Sequence, residues 1–577
     1  MSRLRWPSGW IVAATVLVSA VLGVSIYRAA TRSIVHDEAY TYNMFICGPV
    51  SNALKVNPSN HVLHTWLARL SVWFLGSSEL SVRVATLLGT VLYLGTVLAT
   101  VHLTFPRGRW VLIAVALACL NPLLMDFYPC ARGYTLALAF LMSGILYLLG
   151  CTREESLHGP SWKTLVPGGI LLGLSVAASF TFLIPAAAVG GVFILMTWGE
   201  STVRFLSRFL GRLRRSESLA GQAGTPPAEA DPGNGHPDKG ASQDRPPHPA
   251  PRPVRGTSSV IARARNVIVF GLCVAVVAAV AVVVPLYLQG LMKNDRPFAN
   301  DGYRSWEQSA ADIVNASFFS QETARIDLPG DLTIKSAAEF PEWAIVGSVM
   351  VVAAVLFLIT ILTGARLLRH GMNALSLTTR GALLFCGTVC LCGAFYGASH
   401  VLLGIPYPWD RRGLYVVPLI SIGMLLGLLA WSRRPRLLEW FVLILCLVGM
   451  GRYAMELNLP YFRTWAFDAD SREVFVRMEG MAGTRPPESV RVGGDWRYEP
   501  SMNFYRQTRH AEWMAPFTRV MDQSRLMDRP SESYDFFLLS RTESGTFDAK
   551  GFKIIFRGPV SGIVLYAGRS LLGQDAP

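Results

Sequence analysis

The chain has 577 residues, is 51% hydrophobic and has a mean hydropathy of +0.35. A soluble protein cannot hide that much apolar surface, so the composition places the chain in the membrane class. The net charge of +14 would point to nucleic acid in a soluble protein. Here the basic residues sit in short loops between apolar runs, as cytoplasmic loops do, and no nucleic-acid partner is expected.

In chain order, the first apolar run follows Arg3 and Arg5. It is long enough to span, because a bilayer core needs about 20 apolar residues. No small-residue cleavage site follows it, which predicts an uncleaved first transmembrane helix. About eleven spans are expected, near 9–29, 80–103, 110–128, 133–151, 164–180, 181–199, 266–288, 343–363, 381–402, 413–431 and 438–455. The fifth and sixth share one apolar stretch, broken near "ASFTFLIP". With the N-terminus cytoplasmic, "PRGR" at 106–109, "ARLLRHG" at 365–371 and "SRRPR" at 432–436 all fall inside, as the positive-inside rule requires. The C-terminus then lies on the outer face.

This pattern divides the chain into four parts. Residues 1–215 form a first transmembrane half with an outer loop at 30–79, and residues 259–456 a second half with an outer loop at 289–342. Between them, residues 216–258 are rich in Pro, Gly, Ala and Ser, and predict a disordered cytoplasmic linker. The tail, 457–577, reads as a small outer α/β domain: "SVRVGG" as strand, "PSMNFYRQTR" as helix, then "DFFLLS", "FKIIFRG" and "GIVLYAG" as strands. The fold class is thus mainly α, polytopic, with a small C-terminal α/β domain. Most of the nine cysteines lie in apolar runs. Cys386, Cys390 and Cys392 share a run with no histidine or acid at ligand spacing, so packing is expected there and not a metal. Cys47 and Cys130 lie near outer loops, which leaves a disulfide open.

The first outer loop carries the polar chemistry. "SIVHDEAYTYNMF", residues 33–45, sets Asp37 and Glu38 at the lip of the first span. Residues 61–75, "HVLHTWLARLSVWFL", predict an amphipathic helix in the membrane interface. Val62, Leu63, Trp66, Leu67, Leu70, Trp73 and Phe74 share one side, and His61, His64, Thr65, Ala68 and Ser71 the other. Asn60 is the expected N-cap. His61 and His64 read either as a metal pair completed by a carboxylate or as polar-face hydrogen bonding. Tyr40 and Tyr42 read either as sugar-stacking residues or as interface anchors.

"HDEAYTY", "NPSNHVLHTWLARLSVWFLGSSELSVRVATLLGTVL" and "DFYPCARGYTLALAFLMSGILYLL", in that order, resemble glycosyltransferase family 39. That family has the GT-C membrane fold and includes protein O-mannosyltransferases and the lipid A aminoarabinose transferase. In it an Asp-Glu pair opens the first outer loop, and a surface-lying helix and a Gly-Ser-Glu turn follow. An Ala-Arg-Gly-Tyr-like element sits at a later outer turn. The resemblance covers roughly residues 1–200. It departs at "NHVLH", where many relatives carry His-Pro-Pro-Leu, and this bears on acceptor contacts.

The resemblance implies a multi-pass protein of the bacterial inner membrane, with its tail in the periplasm. The implied donor is a monosaccharide on a polyprenyl phosphate, mannose or another hexose by default. The acceptor is a protein, lipid or surface glycan. In such a reaction a carboxylate takes the acceptor proton, so Asp37 is the expected base, with Glu38 positioning the acceptor or sharing the role, and the anomeric carbon inverts. The leaving lipid phosphate needs cations, which points first to Arg132 and then to Arg411 and Arg412. Arg32 and Arg83 flank the loop. The structural alternatives are pairing of Arg132 with Asp126 and of Arg411 with Asp410. Asn60, His61, His64 and Tyr40 are expected to position the acceptor or the loop. No divalent metal is expected, His61 being the residue that would contradict this. Rival functions are a polyprenyl-linked glycan transporter or flippase, which would need charges in mid-span, and a catalytically inactive membrane scaffold.

Overall fold

The computed structural model describes residues 9–55, 57, 59–105, 108–153, 162–197, scattered positions between 268 and 277, and then 303–318, 342–431, 436–520, 533–544 and 551–572. The expected linker at 216–258 lies outside the described residues, and the expected span at 266–288 lies almost wholly outside them. Among the described residues, seven helices are long and apolar enough to cross a membrane. They are Gly9–Thr31, Glu79–Thr104, Gly133–Cys151, Phe180–Thr197, Trp343–His370, Leu377–Leu403 and Asp410–Trp431. The fold is mainly α, with a small sheet domain at the C-terminus.

Local sequence explains the breaks between helices. α1 (Gly9–Thr31) gives way to the short α2 (His36–Thr41), which carries Asp37 and Glu38 in its first turn. α3 (Val62–Leu75) ends at Gly76, whose φ of 77° suits a residue without a Cβ. Ser78 then starts α4 (Glu79–Thr104), accepting from the Ser81 N–H at 3.1 Å while the Ser81 hydroxyl accepts from the Ser78 N–H at 2.9 Å. The expected span at 110–128 is instead two short helices, Arg109–Cys119 and Pro122–Phe127. The Asn121 side chain caps the Leu123 N–H at 3.0 Å, and Pro122 supplies the first helical position.

α5 (Gly133–Cys151) begins in a tight place. A Cβ on Gly133 would lie 2.0 Å from the Ala178 carbonyl oxygen and 2.7 Å from the His61 Cβ, so only hydrogen fits. This approach sets Arg132 against the start of α3. α3 turns His64, Thr65 and Ala68 inward and leaves Trp66, Leu70, Trp73 and Phe74 exposed. That is the inverse of a soluble helix and suits an apolar face turned to lipid.

Among the described residues the tail has five strands, β1 (Val492–Gly494), β2 (Thr518–Arg519), β3 (Phe536–Leu539), β4 (Phe552–Arg557) and β5 (Val564–Gly568), in one sheet of order β2-β1-β3-β5-β4. β1 pairs in parallel with β2 and with β3. β5 runs antiparallel to β3 and to β4. A helix at Ser471–Ala482 and the two-residue β2 were not foreseen. The tail grips the segment that follows α1 through several bonds. The Ser33 hydroxyl donates to the Ala469 carbonyl at 2.8 Å, and the Ile34 N–H to the Tyr505 hydroxyl at 3.0 Å. The His36 N–H donates to Asp468 at 2.6 Å, and the Asn43 amide to the Pro500 carbonyl at 3.0 Å. Arg472 reaches Glu79 at the start of α4 at 2.8 Å. Cys47 and Cys130 are both free thiols, so no disulfide joins them.

Candidate active site

The two acids of α2 point to different surroundings. Glu38 has no exposed surface and lies against Arg83 of α4. Its carboxylate accepts two bonds from that guanidinium at 3.0 and 2.6 Å, one from the Val35 N–H at 3.1 Å and one from the Ala131 N–H at 2.5 Å. Arg83 also donates to the carbonyls of Ala29, Arg32 and Ser33. This network pins the end of α1, the start of α2 and the loop before α5 together. Glu38 therefore has no face from which to meet an acceptor, and its part here is to hold α2 in place.

Asp37, one residue earlier, keeps 17% of its side chain exposed. Its Oδ2 lies 3.6 Å from Arg132 Nη2 and 3.3 Å from Arg411 Nη2. The Trp465 side chain, from the tail, lies beside it. Burial alone would raise the Asp37 carboxyl. Arg132, then Arg411 and His36, outweigh burial and hold it below the usual carboxylate range. Asp37 is thus ionised between two guanidiniums.

Each arginine is placed by its own surroundings. Arg132 is almost wholly buried, and its Nη1 donates to the Thr41 hydroxyl at 3.0 Å and to the carbonyls of Asp37 and Ser59 at 3.3 Å each. Arg411 lies on the turn Asp410–Gly413 and stacks over Trp409 at 4.9 Å and Trp465 at 5.5 Å. The Tyr134 side chain lies beside it as well. The alternative pairings read from sequence are not found. Asp126 pairs with Arg28 at 2.8 Å, and the Asp410 carboxylate accepts from the Thr464 hydroxyl at 3.1 Å. Arg412 sits on the same turn as Arg411, with its backbone N–H bonded to the Trp409 carbonyl at 2.8 Å. Arg32 turns instead to the Tyr27 hydroxyl at 2.9 Å.

Nε of Arg132 and Nε of Arg411, the two arginines at Asp37, and Nε1 of Trp409 under Arg411 have no hydrogen-bond partner among the described residues. Asp37 Oδ2 is likewise buried with no hydrogen-bond partner, only the two longer guanidinium contacts. Unpaired buried donors are costly, so these N–H groups are free to take an acceptor oxygen.

The remaining expected site residues play quieter parts. Asn60 is not the N-cap of α3; that position falls on His61. Its amide donates to the carbonyls of Ala53 and Lys55, and its oxygen accepts from the Thr65 hydroxyl at 2.8 Å, which ties the loop to α3. His61 stands edge-on to Tyr134 at 4.7 Å. His64 is fully buried with Nε2 at 3.0 Å from the Thr86 hydroxyl. Burial, then Arg132, holds His64 down at about 3 and His61 well below its usual value, so both imidazoles are neutral. Tyr40 is half-buried and edge-on to Phe45 at 5.9 Å. Among the described residues no group of three His, Cys, Asp or Glu side chains is arranged to hold a metal ion. Sequence reasoning missed Trp465, Tyr134 and Thr41. Only Tyr134, beside Arg132 in "ARGY", carried a local signal.

No family model matches the chain. No curated protein matches it either. Solved structures similar to it include ArnT from Cupriavidus metallidurans bound to undecaprenyl phosphate. That pair is 12% identical over 97% of this chain and 98% of ArnT, with a TM-score of 0.36. Another is the archaeal oligosaccharyltransferase AglB from Archaeoglobus fulgidus in complex with an inhibitory peptide and a dolichol-phosphate. It is 11% identical over 98% of this chain and 75% of AglB, with a TM-score of 0.40.

Proposed function

We propose that the chain is a membrane glycosyltransferase that moves a hexose from a polyprenyl-phosphate carrier to an acceptor hydroxyl at the outer face of the membrane. The observation that carries this reading is Asp37, partly exposed and ionised, between Arg132 and Arg411, whose Nε–H groups are buried and unpaired. A lipid phosphate brings the acceptor oxygens those groups lack. It competes with Asp37 for both guanidiniums and so frees the carboxylate for the acceptor. The acceptor oxygen then attacks the anomeric carbon as the carbon–oxygen bond to the phosphate breaks. Asp37 takes the hydroxyl proton, and the lipid phosphate leaves with the electron pair, its charge held by Arg132 and Arg411. A single displacement of this kind inverts the anomeric centre.

A second feature supports a lipid donor. A cavity of about 870 Å³ with mainly apolar walls runs beside the turn that bears Arg411, lined among others by Ile313, Val314, Ile345, Val352, Leu356 and Val416. Its lining suits an isoprenoid chain whose phosphate ends near Arg411. The test is release of free polyprenyl phosphate from a panel of polyprenyl-phosphate hexoses by purified protein supplied with envelope acceptor fractions. Release with at least one donor supports the reading. No release from any donor by folded protein that binds those donors refutes it.

A further inference from the structure

We infer that Asp312, in the second outer loop, is a positioning residue that fixes the turn carrying Arg411. The inference rests on the reading of Arg411 as a ligand of the donor phosphate. Asp312 lies on α6 (Trp306–Phe318), which runs along the 407–413 segment. Tyr303 and Tyr407 exchange backbone hydrogen bonds at 3.2 and 2.9 Å. The Ser309 hydroxyl donates to the Pro408 carbonyl. Asp312 Oδ2 accepts the Asp410 N–H at 2.5 Å. The next residue, Ile313, packs so closely on Gly413 that a Cβ there would lie 2.3 Å from its Cδ1.

These contacts surround a backbone conformation that needs holding. Asp410 has a φ of +37°, a left-handed value that a side chain disfavours. Such a residue persists only where its surroundings over-determine it. The Asp312 carboxylate supplies a charge-assisted bond to the N–H of that same residue, and the Thr464 hydroxyl holds its side chain from the tail. The next residue is Arg411, so the direction in which its side chain leaves the backbone follows from the Asp410 torsion. Without Asp312, the N–H loses its acceptor, the turn relaxes to an unstrained φ, and Arg411 leaves the reach of Asp37 and of the phosphate. α6 also lines the apolar cavity through Trp306, Ala310 and Val314. One helix therefore forms a wall for the lipid chain and sets the cation for its head group.

The test uses the full chain in detergent with undecaprenyl phosphate as the probe, and reads binding for wild type, Arg411→Ala, Asp312→Ala, Asp312→Asn and the double variant Asp312→Ala/Arg411→Ala. Asp312→Ala is expected to weaken binding about tenfold, the order expected for losing one charge-assisted hydrogen bond. Asp312→Asn keeps an oxygen that accepts the Asp410 N–H and is expected to stay within about threefold of wild type. The double variant is expected to bind no more weakly than Arg411→Ala alone, because both changes remove the same contact. Additive loss in the double variant, or wild-type binding by Asp312→Ala while Arg411→Ala is weakened, overturns the inference and leaves the donor reading intact. Wild-type binding by Arg411→Ala, or no binding by the intact chain, overturns the donor reading and the inference with it. If Asp312→Ala does not fold, Asp312→Glu replaces it: the charge stays and the acceptor moves by one methylene. Weakened binding then supports the inference, and wild-type binding overturns it.

Discussion

Replacing Glu38 with alanine separates a structural acid from a chemical one. The substitution removes both guanidinium bonds of Arg83 and leaves the Ala131 N–H without its acceptor. Removing one partner of a buried ion pair costs about 3–5 kcal/mol, mostly because the other charge is left buried. Arg83 keeps three carbonyl acceptors at 2.8–3.0 Å, which places the expected loss near the lower end, about 3 kcal/mol. Glu38→Gln keeps one acceptor oxygen but turns an amide N–H towards other donors, and about 2 kcal/mol is expected. The assay is unfolding in detergent, with donor turnover measured on the fraction that remains folded. Both variants should unfold early, and turnover per folded molecule should fall only as far as the loosened α2 shifts Asp37, well short of the loss from Asp37→Asn. A Glu38→Ala protein as stable as wild type, with turnover lost, would refute this reasoning and return Glu38 to the chemistry.

Asp37→Asn should lose turnover by at least about a hundredfold, as loss of a general base does, yet bind undecaprenyl phosphate at least as tightly as wild type, because the phosphate no longer competes with a carboxylate. Weaker binding in that variant would contradict the competition. Burial raises Asp468 to about 7 against hydrogen bonds from Ser501, Ser471 and the His36 N–H. Its unfolded value is near the model-peptide value of about 3.9, so the folded state binds the extra proton between those limits. The stability it contributes is therefore full below about pH 4 and lost as the pH rises through about 7. Melting between pH 5 and 8 should fall in wild type and stay flatter in Asp468→Asn; equal slopes would remove Asp468 as the cause. Gly133→Ala puts a methyl against the Ala178 carbonyl and His61. It should cost about 1–3 kcal/mol by overpacking and displace Arg132, seen as a lower melting temperature together with weaker lipid-phosphate binding.

Asp37, Arg132 and Arg411 were legible in the sequence because each is a charge placed where an apolar run ends. Their pairing was not. The nearest opposite charges in sequence, Asp126 and Asp410, are held by Arg28 and by Thr464, both distant along the chain. Glu38 shares its sequence surroundings with Asp37, and only the direction in which α2 turns sends one acid to Arg83 and the other to the arginine pair. Helical periodicity gave the inward face of α3 correctly, since His64, Thr65 and Ala68 are the buried side. It placed the cap one residue early. The Asn121-Pro122 pair that splits the expected 110–128 span was a readable breaker, overridden by the long apolar run around it. The strands of the tail showed as β-branched and aromatic runs, whereas Trp465 reaches Asp37 across more than four hundred residues and left no local trace.

The most direct measurement of the central claim is single-turnover release of polyprenyl phosphate by wild type and Asp37→Asn, with the anomeric configuration of the product determined. The account predicts release by wild type with inversion, and no release by Asp37→Asn despite bound donor. Undiminished release by Asp37→Asn, or retention of configuration, would contradict it.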